Sequence, residues 1–135
     1  MNISQSLLLI TILLCPLPGL VSAGELNAAM EAIDSGEYSR GVEMLGPLAQ
    51  QGDAEAQYLL GSAYAHGQGI TADSNIALKW LQMAALQRHY AAANTLGKIY
   101  ASGLGVKQDT DLAVKWFELA ADIAEKSDKE HEDCD

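Results

Sequence analysis

The sequence predicts an all-α stack of about three helix-turn-helix units. Three observations carry this. Residues 54–89 align without a gap on residues 90–125, a 36-residue internal repeat with 13 identities. Each half of each copy carries an apolar stripe at helical spacing. A Gly-x-Gly loop ending in Asp separates the halves. In the alignment Leu60 falls on Leu96, Gly61 on Gly97, Tyr64 on Tyr100, Gly67 on Gly103 and Gly69 on Gly105. Asp73 falls on Asp109, Ala77 on Ala113 and Trp80 on Trp116.

The elements follow in order. Residues 25–35 form a short helix and Gly36-Glu37-Tyr38 a turn. Residues 38–51 form a second helix with Val42, Leu45 and Leu48 inward and Pro47 as a kink or early terminator. This first unit, 24–53, is degenerate and lacks the Gly-x-Gly loop. In the next helix, 54–66, Ala56, Leu60, Gly61 and Tyr64 share one face, and Gly61 lets another helix approach closely. Gly67 and Gly69 permit positive φ after the helix end, and Asp73 caps the helix over 74–88. That helix turns Ile76, Ala77, Trp80, Leu81 and Ala84 to its neighbours. Residues 90–102 and 110–126 repeat the pair, with Asp109 as the cap. One unit cannot bury its own apolar face, and about three are needed for stability. Trp80, Trp116, Tyr64 and Tyr100 are therefore expected in the core, and Trp→Ala at either position is expected to cost roughly 3–5 kcal/mol.

Residues 1–23 stand apart from this stack. Leu7 to Leu14 is an apolar run of eight, Pro16, Pro18 and Gly19 break it, and Val21-Ser22-Ala23 supplies small residues for cleavage. The segment resembles a secretory signal peptide cut after Ala23, although residues 1–6 carry no Lys or Arg. The alternative is an uncleaved anchor, but the run is shorter than the roughly 20 apolar residues a span takes. Lipidation at Cys15 is disfavoured by the bulk of Leu14. An exported protein, periplasmic or secreted, is the expectation, with no membrane insertion of the mature chain. Cleavage leaves Cys134 as the one thiol, so no internal disulfide is expected. It could instead bridge to another chain or be incidental.

The net charge is −10, from 18 acids against 8 Lys and Arg. That excludes nucleic-acid binding, which needs a basic face, and argues against docking on anionic lipid. Residues 122–135 hold seven acids and two lysines. This region continues the last helix for a turn and then frays, leaving 127–135 as an acidic tail. It serves either as a solubilising cap or as a lure for a basic partner.

The repeated residues resemble the Sel-1-like repeat family, a tetratricopeptide relative with a period near 36. Its pattern, A-x-x-x-L-G-x-x-Y-x-x-G-x-G-V, then D, then A-x-x-W-x-x-x-A-A, fits residues 56–85 and 92–121, with Ile70 for Val in the first copy. The resemblance implies a right-handed α/α solenoid that binds other proteins. By tetratricopeptide analogy the first helix of each pair lines a concave face. Its outward positions are Glu55, Tyr58, Ser62 and His66 in one copy and Ala91, Asn94, Lys98 and Ser102 in the next. They differ between copies while the packing positions repeat, as a binding groove or a merely solvated face allows.

No catalytic or metal constellation is present. His66, His89 and His131 lack metal-ligand spacing, and His131-Glu132-Asp133-Cys134-Asp135 is a weak cluster at the chain end. Relatives with paired cysteines in each repeat have been linked to β-lactam chemistry, and this chain lacks those cysteines. The expectation is a non-enzyme without cofactor or metal that binds a protein or peptide, possible identities being an envelope adaptor, a secreted host-directed factor or an immunity protein neutralising a basic toxin. Peptidoglycan or β-lactam hydrolysis stands as the disfavoured catalytic alternative.

Overall fold

A computed structural model describes residues 23–132, with side chains as far as Lys129. Six helices and no strand occur among these residues: α1 (Ala23–Asp34), α2 (Tyr38–Gln50), α3 (Ala54–His66), α4 (Ser74–Leu86), α5 (Tyr90–Ser102) and α6 (Thr110–Glu132). They form three helix pairs, and each helix packs on its partner and on the next in sequence. This is an all-α solenoid of helix-turn-helix repeats. The leader-like segment, Cys15, Cys134 and the His131–Asp135 side chains lie outside the described residues.

The loop chemistry explains where the helices start and stop. Asp53 Oδ1 accepts from Ala56 N at 2.7 Å, Asp73 Oδ1 from Asn75 N and Ile76 N at 2.9 and 3.1 Å, and Asp109 Oδ1 from Leu112 N at 2.9 Å. Each cap satisfies amides that a helix start leaves without a partner. Gly67 and Gly103 end α3 and α5 in the left-handed region, at φ 66° and 67°. The loop then folds back, so that Asp73 N donates to Tyr64 O and Asp109 N to Tyr100 O. Asp73→Ala should cost about 1 kcal/mol. Thermal denaturation should show it as a fall of about 4 °C in Tm.

Three local expectations need correction. Helix α2 runs three residues past Pro47. Only the carbonyl of Glu43 loses its partner there, Glu43 is exposed to water, and the buried Leu48 and Ala49 anchor the last turn. Helix α4 stops at Leu86 because Gln87 and Arg88 turn their amides onto Ala84 and Ala85, and Arg88 takes φ 64°. It fills the place that Gly52, at φ 97°, fills after α2. Helix α6 does not fray after residue 126. Lys126 pairs with Asp122 at 3.1 Å and Lys129 with Glu125 at 2.6 Å, with the acid N-terminal to the base, the favoured i,i+4 order.

Two clusters make up the core. The first joins Ala29 of α1, Val42, Leu45, Leu48 and Ala49 of α2, and Ala56, Leu60 and Ala63 of α3. The second joins Leu81, Ala84 and Ala85 of α4 to Ala92, Ala93, Leu96 and Ile99 of α5 and to Ala120 and Ile123 of α6. Trp80, Tyr64 and Ile70 pack on the first, and their repeat partners Trp116, Tyr100 and Val106 on the second. These aromatics are half-buried rather than central. Helices this close have Ala and Leu between them, so the rings close the rim. The indole Nε1 of Trp116 is buried without a hydrogen-bond partner.

Close approach has a fixed place in each pair. A Cβ on Gly61 would lie 2.9 Å from Leu81 Cγ and 3.2 Å from the Ala77 carbonyl. A Cβ on Gly97 would lie 2.6 Å from Cε1 of Phe117. In the first pair the small residues exchange sides: Gly41 is on the second helix, its Cβ position 3.2 Å from the carbonyl of Ala29 on the first. The degenerate unit thus keeps the packing while losing the pattern.

Candidate functional site

The first helices α3 and α5 face each other along one side of the stack. Their N-terminal halves are joined by side chains. His89 sits just before α5, and its Nδ1 accepts from Ala92 N at 3.2 Å, capping the helix. With Nδ1 an acceptor, Nε2 carries the proton and donates to Glu55 Oε2 of α3 at 2.7 Å. The ring also stacks on Tyr58, with centroids 4.9 Å apart. Beside this, Gln57, 1% exposed, donates to Ala49 O at 3.1 Å and accepts from Gln87 Nε2 at 2.8 Å. One buried amide therefore ties α2, α3 and the end of α4. His89→Ala removes a cap and both seam contacts and should cost about 1–2 kcal/mol, read by urea denaturation.

The C-terminal part of α3 and the middle and end of α5 line a cleft of about 250 Å³. Its apolar lining is Ala65 of α3, Ile99 of α5 and Leu104 of the loop after α5. Its polar groups are His66, Thr95, Lys98 and Ser102. His66 Nδ1 donates to Ser62 O at 2.8 Å, which leaves Nε2 as the open ring nitrogen. Ser102 Oγ donates to Lys98 O at 2.8 Å and keeps its lone pairs for a ligand. Lys98 is exposed and stands as a cation on a chain of net charge −10. The volume is below the roughly 300–1,000 Å³ of small-molecule sites. It suits one or two side chains of a peptide.

The outward residues read from the sequence thus fall into two groups. His66, Lys98 and Ser102 come together at the cleft. Glu55 and Tyr58 are engaged in the seam with His89. Ser62 supplies only its carbonyl, to His66. Ala91 and Asn94 are half-buried on α5 away from the cleft lining. Ala65, Thr95, Ile99 and Leu104 are the lining residues that pattern reading missed. Leu104 was within reach: it stands between two loop glycines where the other copy has Gln68, and it is 64% exposed.

Among the described residues, no group of three or more His, Cys, Asp or Glu could hold a metal ion. No helix described is long and apolar enough to cross a membrane. The acidic charge concentrates on α6, where Lys126, then Arg88, hydrogen-bond Asp122 and hold its carboxyl below the usual range.

Stacked helix pairs with repeated packing positions and a variable cleft define a helical-repeat binding scaffold. The chain belongs to the Sel1 repeat family, whose model matches residues 54–89 and 91–123. Sel1 repeats are protein–protein interaction modules, and their fold is typically a non-catalytic scaffold. Among solved structures, a Sel1 repeat protein from Oxalobacter formigenes is 35% identical over 62% of this chain and 63% of its own, with a TM-score of 0.58. The protein c5321, a protective antigen present in uropathogenic Escherichia coli strains and displaying an SLR fold, is 29% identical. That match covers 78% of this chain and 25% of c5321, with a TM-score of 0.66. The chain therefore spans less than two thirds of either relative. Comparison with curated proteins gives no match.

Proposed function

We propose that this chain is an exported interaction module that holds a segment of a partner protein in the cleft between α3 and α5. The observation that carries the reading is the cleft itself, an apolar floor with Lys98 and His66 at its rim on an otherwise acidic molecule. Such a site takes an apolar side chain with an acidic neighbour. The leader-like run at residues 7–14, with small residues up to Ala23, supports export. N-terminal sequencing of the protein from an envelope or secreted fraction should begin at Gly24.

The partner is tested by affinity capture with the wild-type protein and with Lys98→Glu plus Leu104→Asp. Both residues are exposed, so the double variant should keep its helical circular dichroism and lose the partner. Capture that survives this change and disappears on removing residues 127–135 would move the binding element to the acidic end of α6. The net charge of −10 favours a second reading, an immunity protein steered onto a basic toxin, whose association rate should fall steeply with salt.

A further inference from the structure

Resting on the reading that the cleft holds a partner segment, we propose that this segment runs on across α3 to α1, where Asp34 takes a basic residue from it. The occupant is an extended stretch of a partner protein. It has an apolar–acidic pair at one end and a Lys or Arg about five or six residues away.

The register of the degenerate unit supplies the starting observation. In the second pair, the Cβ position of Gly61 lies 3.2 Å from the carbonyl of Ala77. In the first pair, the Cβ position of Gly41 lies 3.2 Å from the carbonyl of Ala29. Helices α2 and α4 correspond at the 36-residue period, Gly41 on Ala77, so Ala29 takes the place of Gly61. Met30 then takes the place of Ser62, and Asp34 that of His66. The period alone hides this, because the turn at 35–37 is shorter than the loop at 67–73. Two rows therefore cross the three first helices. One is Met30, Ser62 and Lys98; the other is Asp34, His66 and Ser102. Both pass through the cleft residues and end on α1, where Met30 is 37% exposed and Asp34 is exposed.

Charge along these rows decides what fits. Helix α5 carries Lys98 and no acid, whereas α1 carries Glu25, Glu31 and Asp34 and no Lys or Arg. Between them, Glu55 of α3 is engaged by His89. A segment that sets an acid on Lys98 meets an acidic surface at α1, so a base there is matched and a second acid is repelled. Asp34 is also the last residue of α1, where the helix dipole disfavours an anion, and the last turn has no basic residue. Its counterparts are His66 and Ser102. Among the described residues no cation pairs with Asp34. Folding gains nothing from an acid at this position, and a basic ligand does. Packed helices stand about 8–10 Å apart, which puts α1 about 16–20 Å from α5. An extended chain covers about 3.3 Å per residue, hence the spacing of about five or six residues between acid and base.

Selection of a displayed random peptide library on the immobilised protein and on Asp34→Lys tests this. Peptides enriched on the wild type should carry the apolar–acidic pair with a Lys or Arg about five or six residues from it. On Asp34→Lys the pair should persist and the distal position should turn to Asp or Glu. A peptide enriched on the wild type should lose about three- to fivefold in affinity on Asp34→Lys, less as salt rises. Exchanging its base for Glu should restore binding to the variant. Asp34→Lys should keep its circular dichroism and melt no lower than the wild type. Peptides that keep the pair but show no charge preference at the distal position overturn the proposal and leave the cleft standing. So does an affinity indifferent to Asp34→Lys. Peptides without the pair, bound equally by Lys98→Glu, would overturn the cleft reading and this one with it.

Discussion

Leu81→Ala is expected to destabilise the protein by about 3–5 kcal/mol, the upper part of the range for buried leucines. Leu81 is fully buried in the second cluster, with Ala84, Ala85, Ala92 and Ala93 in the same cluster and Gly61 on the facing helix. These neighbours are short and fixed in helices, so they cannot move in to fill the space. The cavity stays open and its full cost is felt. Against a total stability of about 5–15 kcal/mol, that is a large fraction for a three-pair stack. Phe117 fills the same repeat position, against Gly97, but is 37% exposed, so Phe117→Ala should cost clearly less despite the larger side chain. Urea denaturation of the two variants checks the order. A Leu81→Ala loss below about 1 kcal/mol would show that the seam between the second and third units is not tightly packed.

Gly69→Ala is expected to be the second severe change, at about 2–5 kcal/mol, from left-handed strain plus overpacking. Gly69 has φ 71°, and a Cβ there would run into the carbonyl carbon of Tyr38 and lie 2.5 Å from Ser39 N. Both obstacles are backbone at the start of α2, so the first unit would have to separate from the second. Gly67→Ala is the control. Its φ is 66°, nearly the same, but its Cβ would meet nothing closer than the Ala72 side chain at 3.3 Å, with backbone no nearer than 3.6 Å. It should cost about 1–2 kcal/mol from the backbone alone. Equal losses for the two glycines would mean that the contact with Tyr38 and Ser39 carries no energy. Gly105 repeats the arrangement, its Cβ position 2.9 Å from Cβ of Ser74 at the start of α4.

These two glycines show how far the sequence could be read. The Gly-x-Gly spacing announced a turn with positive φ, because only local backbone geometry was needed. That the second glycine alone touches the preceding unit is a fact of stacking, which no local pattern carries. The Asp caps and the helix pairs were legible for the same local reason. The exchange of Gly41 for Ala29 was not, since the period comparison aligned neither helix of the degenerate unit. The outward positions were half legible. Helical periodicity placed Tyr58 and Glu55 on an outward face, but His89, 34 residues from Glu55, draws both into the seam. Lys98, Ser102 and His66 line the cleft instead, the last two bonded only to carbonyls of their own helices. Trp80 and Trp116 were assigned to the core as repeated residues of the apolar stripe, whereas the tight spacing reserves the centre for Ala and Leu. The length of α6 was underread because its i,i+4 ion pairs were counted as tail charge.

The central claim is that the α3–α5 cleft is the surface that takes a protein segment. The most direct measurement is selection of a displayed random peptide library on the immobilised protein, followed by titration of the enriched peptide. The account predicts peptides in which an apolar residue stands next to an acidic one. Their affinity should drop at least about tenfold, or about 1.4 kcal/mol, on Leu104→Asp and again on Lys98→Glu, with native circular dichroism throughout. Enriched peptides that bind both variants as tightly as the wild type would contradict it.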